Sequence, residues 1–208
     1  MFKHIIWDFD GTLYDTYPTI TLSFKKALEH MGIVEDHNMV SSMVKVAEAH
    51  ALDYYERVYK IDRKALKEKY DTFRKEVQLM DVKPFPSVDA ICKDIVIAKK
   101  YNYIYTNRGK SIIDHLDHFD LLQYFTDIIR RENNFARKPA PNALLYLLDK
   151  HKMNPLEVIM IGDRDIDILA GKNAGIRTCY FDFDNEKKVE IADYTVNDMK
   201  ELYGIIGL

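Results

Sequence analysis

Two aspartates, one residue apart, follow an apolar segment near the start of the chain. Asp8 and Asp10 come after the run 5–7, and Gly11 and Thr12 come next. In a strand, residues i and i+2 point the same way, so we expect both carboxylates to lie together where a buried strand ends. Neighbouring carboxylates repel unless a cation lies between them or one takes a proton. Gly11 allows a turn that brings backbone N–H groups near a ligand. By itself this segment also fits an ordinary Asp-Gly turn on the surface. The alternative interpretation is a site for a divalent metal and a phosphate.

Three further polar motifs lie where later strands are expected to end. Thr106-Asn107 follows one apolar strand, and Gly162-Asp163 follows another, with Asp165 and Asp167 shortly after it. Between them, Arg137-Lys138-Pro139 precedes a helix. Ligands of parallel sheets bind at the carboxyl ends of the strands. The sequence therefore predicts that a hydroxyl, an amide, an ammonium group and several carboxylates share one sheet edge.

This set of groups is suited to metal-assisted phosphoryl transfer. Asp8 and Asp163 supply the oxygen ligands that Mg²⁺ prefers, and phosphate and water supply others. The Thr106 hydroxyl and the Lys138 ammonium group can hold phosphate oxygens and the charge that builds on them. One aspartate can attack phosphorus to give an aspartyl-phosphate, while a second, protonated carboxyl protonates the leaving oxygen and then activates water.

The elements that position these motifs are of two kinds. From residue 84 onward strands alternate with helices, which predicts a parallel sheet covered on both faces. The run 95–98 is β-branched, but 102–106 is the better strand and needs a helical crossover before it, so we predict a helix over 87–98. From about 17 to 82 the apolar spacing is helical throughout. We therefore predict an α/β domain of residues 1–15 and 84–208, with a small helical domain of residues 16–83 inserted into it.

Composition and charge argue against nucleic acid and membrane as partners. The chain has 208 residues and a net charge of −3, which gives no basic field for nucleic acid. Cys92 and Cys179 lie far apart, with no metal or redox spacing. No stretch is long and apolar enough for a bilayer span. We expect a cytoplasmic protein with reduced thiols and with neither nucleic acid nor membrane as partner.

The four motifs together resemble those of the haloacid dehalogenase (HAD) superfamily in order and spacing, over nearly the whole chain. The resemblance implies a Rossmann-like, doubly wound parallel sheet, with 16–83 as a helical cap of the C1 type that selects the substrate. It implies that Asp8 is the nucleophile and a Mg²⁺ ligand, and that Asp10 is the general acid/base and binds the metal through its backbone carbonyl. It also implies that Asp163 and Asp167 bind the metal or support its site. The residues that it implies for phosphate binding are Gly11, Thr12, Thr106, Asn107 and Lys138.

Within this family the carboxylate at position 10 favours a phosphatase or a mutase, because a dehalogenase has no leaving alcohol to protonate. The resemblance is greatest to phosphoglycolate phosphatase and β-phosphoglucomutase, and it implies a Mg²⁺-dependent phosphatase acting on a small phosphorylated metabolite. A β-phosphoglucomutase-like phosphotransferase and a catalytically silent binding module remain as alternatives. We expect a monomer or a weak homodimer.

Some nearby residues have simpler interpretations. Asp165 is predicted to be a helix-start carboxylate, since acids favour the first turn. His115 and His118 are predicted to be surface histidines, because no third ligand is near in sequence. Arg164 departs from the small residue that many relatives carry, and we expect its side chain to reach the cap or solvent.

Overall fold

The described chain separates into two compact units. The structure is a computed structural model that describes residues 1–77, 79–185 and 189–208. One unit combines Met1–Tyr14 with Pro84–Leu208, and the other is Asp15–Lys83. None of the helices in these described ranges is both long enough and apolar enough to cross a membrane.

The first unit is built on a six-stranded sheet in which every paired neighbour is parallel. The strand order is β3-β2-β1-β4-β5-β6, so the chain starts in the middle, runs to one edge, and then returns to fill the other. This is the order of a doubly wound sheet and confirms the predicted fold class. The strands are β1 His4–Trp7, β2 Tyr101–Tyr105, β3 Phe125–Ile129, β4 Val158–Gly162, β5 Arg177–Phe181 and β6 Tyr194–Val196.

Helices connect these strands. The β-branched run 95–98 overlaps the end of the helix α5 Val88–Ile97, so the prediction of a helix there is confirmed. The last helix, α9 Leu202–Ile206, follows a 3-10 turn at Met199–Glu201 that Asp198 and Glu201 close. The helices of this unit are α5 Val88–Ile97, α6 Ser111–His118, α7 Asn142–Lys150, α8 Asp165–Asn173 and α9 Leu202–Ile206.

The apolar end of the central strand β1, Ile5 to Trp7, anchors the functional edge of this sheet. Trp7 of β1 is paired in register with Ile104 of β2 on one side and with Ile161 of β4 on the other. All three side chains are completely buried. Since the three strands are parallel and in step, the residues that follow them leave the sheet at the same edge. One face of the sheet packs into a buried cluster that includes Ile6, Tyr103, Met160, Leu144 and Leu147.

The second unit is a four-helix bundle. Its helices are α1 Tyr17–His30, α2 His37–Val46, α3 Glu48–Tyr59 and α4 Arg63–Glu76. Asp62 caps α4, since its carboxylate accepts the N–H groups of Lys64 and Ala65. The bundle encloses its own apolar cluster, which includes Phe24, Leu28, Val44, Tyr55, Leu66 and Tyr70.

The apolar spacing of α2 matches its buried face only in part. Met39, Met43, Val46 and Ala47 lie at helical spacing, and Met43 packs against the bundle's apolar cluster, but the buried residues of this helix are Val40 and Val44, and Val46 is half exposed. Apolar residues lie on both sides of this short helix, so its spacing alone does not fix which side faces the core.

Candidate active site

The site is centred on the buried carboxylate of Asp8. The strand β1 ends at Trp7, but the next backbone N–H, that of Asp8, still donates to the carbonyl of Ile161 at 2.9 Å. The sheet ladder therefore fixes where this carboxylate leaves the strand. Asp8 is only 1% exposed, so its charge needs partners within the protein.

Lys138 supplies the first partner. Its Nζ donates to Asp8 Oδ1 at 2.8 Å and lies 2.6 Å from Asp167 Oδ1, at ion-pair distance but outside hydrogen-bond geometry. The side chains of all three are at most 1% exposed. Burial alone would lower the pKa of Lys138, but the carboxylates of Asp167 and Asp8 raise it, so the ammonium group keeps its charge. Burial, reinforced by the charge of Asp167, raises the pKa of Asp8 to about 6.

One lysine does not balance the carboxylates gathered here. Asp8, Asp163 and Asp167 each present an oxygen within 4.8 Å of the others. Within the described chain, Asp8 Oδ2 is buried and accepts no hydrogen bond. An orphaned buried acceptor in a cluster of three carboxylates fits a hard divalent cation such as Mg²⁺, which is bound by oxygen atoms. These three residues can therefore hold the metal.

Two neighbouring contacts shape this cluster. Arg164 Nη2 is 3.8 Å from Asp8 Oδ2, and its Nε is 3.9 Å from Asp167 Oδ2. Part of the arginine therefore faces the carboxylates, a contact that the sequence did not indicate, and the expectation that its side chain reaches the cap or solvent stays a prediction. Thr12 Oγ1 donates to Asp163 Oδ1 at 3.1 Å. Asp165 is exposed at the first position of α8, where a helix-start carboxylate was predicted.

Thr106 is held in the same way as Asp8. It follows β2, and its N–H donates to the carbonyl of Ile129 at 2.9 Å. Its side chain is almost fully buried, and Oγ1 accepts the N–H of Arg108 at 3.1 Å. Asn107 is half-buried and lines the same cavity as Thr106. Both predicted phosphate contacts thus lie at the sheet edge.

The carboxylate of Asp10 is not one of the three in the described chain whose oxygens lie within 4.8 Å of one another. Strand β1 ends at Trp7, so neither Asp8 nor Asp10 belongs to the strand whose alternation was the basis for expecting the two carboxylates to lie together. Asp10 Oδ1 instead accepts from Arg108 Nη1 at 2.6 Å. The nucleophile candidate and the acid/base candidate therefore have different cationic partners.

Gly11 has a φ of +78°, which confirms the predicted turn. Its N–H donates to the carbonyl of Tyr14 at 2.9 Å, and the N–H of Thr12 approaches the carbonyl of Phe9 at 3.4 Å. These N–H groups bond within the loop, so the structure offers no direct support for the prediction that Gly11 and Thr12 bind phosphate.

Three residues at the site were missed or misjudged from sequence. Tyr105 has its ring centroid 4.7 Å from Lys138 Nζ, and Arg108 pairs with Asp10. His115 is 4% exposed, so only its neighbour His118 matches the predicted surface position. A helical pattern places His115 beside the buried Ile112 and Leu116, which was an available signal.

Comparison with known proteins agrees with this geometry. Residues 5–181 match the family model of haloacid dehalogenase-like hydrolases. The chain is 29% identical to phosphoglycolate phosphatase of Vibrio vulnificus (strain CMCP6), over 83% of this chain and 80% of that one. It is 28% identical to phosphoglycolate phosphatase of Aquifex aeolicus (strain VF5), over 95% and 93%.

Solved structures agree as well. A hydrolase from Streptococcus pneumoniae TIGR4 is 26% identical, with a TM-score of 0.67 over 100% of this chain and 99% of that one. A phosphatase described as a predicted phosphoglycolate phosphatase, from Haemophilus somnus 129PT, is 21% identical and shares the fold, with a TM-score of 0.86 over 98% and 97%. The chain belongs to the haloacid dehalogenase-like hydrolase family and is a hydrolase of its phosphatase type.

Proposed function

We propose that this chain is a Mg²⁺-dependent phosphatase that cleaves small phosphate monoesters through an aspartyl-phosphate on Asp8. One observation carries the proposal. The carboxylate of Asp8 is buried and has one oxygen held by Lys138 at 2.8 Å, while its other oxygen accepts no hydrogen bond from the described residues and has Arg164 Nη2 at 3.8 Å. A nucleophile needs a fixed direction and a local charge balance, and this arrangement provides both.

Asp8, Asp163 and Asp167 are the residues that would hold the metal. When bound, Mg²⁺ supplies positive charge that offsets the carboxylates and the phosphate oxygens. Thr12 keeps Asp163 in place through its hydroxyl, and Lys138 keeps Asp8 and Asp167 in place through its ammonium group.

The protein's own groups account for both chemical steps. Asp8 attacks phosphorus, so that a bond from its carboxylate oxygen to phosphorus forms while the ester bond from phosphorus to oxygen breaks. Asp10 gives its proton to the departing oxygen, and Lys138 and Thr106 stabilise the charge on the phosphoryl group. A water then attacks the aspartyl-phosphate, Asp10 takes its proton, and inorganic phosphate leaves with Asp8 restored.

The relatives support the proposed substrate class. Several of them are named phosphoglycolate phosphatase, which supports a small phosphorylated metabolite of that kind as the substrate. We also propose that the helical unit of residues 16–83 is the cap that selects this substrate.

The test is phosphate release from an aryl phosphate. Wild type, Asp8→Asn and the control Asp149→Asn are assayed with Mg²⁺ and with EDTA. Asp149 is a suitable control because its side chain is 83% exposed and pairs only with Lys152 among the described residues. We expect release that requires both the metal and Asp8, and wild-type rates for the control.

Acid quenching during turnover, followed by peptide mass analysis, should find one added phosphoryl group on the peptide that contains Asp8. Turnover by Asp8→Asn at the wild-type rate would remove the nucleophile assignment. Turnover unaffected by EDTA would remove the metal from the proposal.

A further inference from the structure

A second polar feature adjoins the predicted phosphate contacts. A cavity of about 240 Å³ lies within the α/β unit, where β2 and β3 end. The polar residues that line it are Thr106, Asn107, Arg130, Arg131, Asn134 and Arg137. Pockets for drug-sized ligands usually measure roughly 300–1,000 Å³, so this cavity suits a small charged fragment rather than a large molecule.

The cavity is strongly basic. Three of its lining residues are arginines, and no lining residue of the described chain is acidic. The nearby carboxylate of Glu132 accepts the N–H of Lys110 at 3.1 Å and is 3.5 Å from Arg130 Nε. Arg137 is exposed, and its side chain makes no hydrogen bond or ion pair with the described residues. At least one guanidinium group is therefore available to an incoming anion.

The loop that carries these arginines is tied in place. The N–H of Arg131 donates to the carbonyl of Arg108 at 3.0 Å, and the N–H of Arg130 donates to Asn133 Oδ1 at 2.9 Å. Asn134 ends this turn with a φ of +58° and donates its N–H to the carbonyl of Arg131 at 3.1 Å. A fixed loop lowers the conformational entropy that binding would otherwise cost.

The cavity is continuous with the proposed catalytic groups. Thr106 lines it and is also the proposed phosphate contact, while Arg137 directly precedes Lys138 in the chain. A substrate phosphate at Thr106 would therefore have the arginines beside it. Guanidinium groups bind carboxylate and phosphate oxygens in a bidentate manner.

We infer that this cavity, the arginine cleft, binds a second anionic group of the substrate, either a carboxylate or a second phosphate. This inference rests on the proposed phosphatase activity and specifies its substrate class as phosphate esters or anhydrides with a second oxyanion. Arg137 is the main contact of that group, and Arg130 is the second.

The test compares substrates that differ in the second group. 2-Phosphoglycolate carries a carboxylate, pyrophosphate carries a second phosphate, and 2-hydroxyethyl phosphate carries neither. The variants are Arg137→Gln and Arg130→Gln. Lys152→Gln is the charge-matched control. The Lys152 side chain is 79% exposed, and the residue precedes β4, so it lies toward the amino ends of the strands, whereas the cleft lies at their carboxyl ends.

The readout is the ratio of kcat/KM for each doubly anionic substrate to kcat/KM for 2-hydroxyethyl phosphate. We expect Arg137→Gln to lower this ratio about tenfold or more, mainly through KM, because hydrogen bonds between charged groups contribute roughly that much to affinity. Lys152→Gln should leave the ratio unchanged. The substrate with the larger change identifies the second group as a carboxylate or a phosphate.

An unchanged ratio in both arginine variants would overturn the cleft assignment, whether kcat/KM stays at the wild-type value or falls equally for all three substrates. The phosphatase proposal would remain intact. If wild type hydrolyses none of the three and also releases no phosphate from the aryl phosphate, the phosphatase proposal fails instead. Calorimetric binding of 2-phosphoglycolate to wild type and Arg137→Gln then decides the cleft: weaker binding by the variant supports it, and equal binding overturns it.

Discussion

Arg108 Nη1 donates to Asp10 Oδ1 at 2.6 Å, and this ion pair links the first strand loop to the loop after β2. The Arg108 side chain is 10% exposed and that of Asp10 is 22% exposed. The guanidinium group also lies 5.4 Å from the Phe9 ring centroid, and its Nη2 is 3.1 Å from His115 Nε2. With these contacts the arginine is anchored, so it sets the direction of the carboxyl that we propose as the acid/base.

The first prediction is that Arg108→Gln lowers kcat by about tenfold or more while KM changes little, because general acid/base catalysis depends on the position of the carboxyl. The loss should be largest for alkyl phosphates, whose leaving oxygen needs a proton, and smallest for a nitrophenyl phosphate. Arg108→Lys should restore part of the activity. Steady-state kinetics over a series of leaving groups measures this.

An equal loss for all leaving groups would assign Arg108 to folding or to general charge balance rather than to Asp10. Faster turnover in the glutamine variant would mean that the ion pair restrains Asp10 instead of positioning it.

The second prediction concerns the charge balance around Lys138. Lys138→Met leaves Asp8 and Asp167 buried without their shared cation, so the metal-free protein should lose about 3–5 kcal/mol in free energy of unfolding. Adding Asp167→Asn removes one of the two stranded carboxylates and should recover part of this loss. Urea denaturation at pH 7 in EDTA compares four proteins: wild type, Lys138→Met, Asp167→Asn and the double variant. Strictly additive effects would mean that the two residues are not coupled.

The sheet could be predicted because its signals are local. The alternation of apolar strands and helices indicated the order of the elements, and the ends of β1, β2 and β4 carry motifs that resemble those of the family, such as Thr106-Asn107 after β2. Parallel pairing then requires the motifs to share an edge. The family motifs thus indicated Asp8, Lys138 and Asp167 from the sequence, and these three are in contact in the structure.

The partners of these residues could not be predicted, because they depend on side-chain directions in loops. Asp10 pairs with Arg108 in loops beyond the ends of β1 and β2, and Arg164 Nη2 lies 3.8 Å from Asp8. The arginine cleft likewise forms only where two loops meet. No periodic pattern governs such positions, whereas the buried face of a strand or a helix repeats.

The third prediction concerns Gly162, whose lack of a side chain makes room for Asp167. A Cβ at position 162 would lie 2.3 Å from Asp167 Cβ and 2.6 Å from its Cγ, which real atoms do not tolerate. Gly162→Ala should therefore displace Asp167, destabilise the protein by about 1–3 kcal/mol, and weaken Mg²⁺ binding.

Gly204→Ala is the matched control for this change. Gly204 lies in α9, and no atom beyond its immediate neighbours comes within 4 Å of an added Cβ. We expect that variant to gain roughly 0.5–1 kcal/mol, because alanine is the better helix former. Thermal denaturation and Mg²⁺ titration compare the two. Wild-type Mg²⁺ affinity in Gly162→Ala would show that Asp167 is not needed at the metal site.

The fourth prediction links pH to stability through Asp8. Burial, together with the Asp167 charge, raises the pKa of Asp8 from its ordinary 3.8 to about 6 in the folded protein. A carboxyl whose pKa is raised by folding destabilises the folded state once it must ionise. The free energy of unfolding of the metal-free protein should therefore fall as pH rises from about 4 to 6, and this contribution should be constant above that. The shift from 3.8 to about 6 corresponds to about 3 kcal/mol.

Asp8→Asn should remove this contribution, so its stability relative to wild type should increase from pH 4 to pH 6. Mg²⁺ must displace the Asp8 proton at pH 5 but not at pH 7, so saturating Mg²⁺ should raise the wild-type Tm more at pH 7. Both effects are measured by thermal denaturation in EDTA and in Mg²⁺, with Asp149→Asn as the control for loss of an exposed carboxylate. Equal Mg²⁺ shifts at both pH values would mean that the Asp8 carboxyl is already ionised at pH 5, and that Lys138 offsets burial more completely than the raised pKa implies.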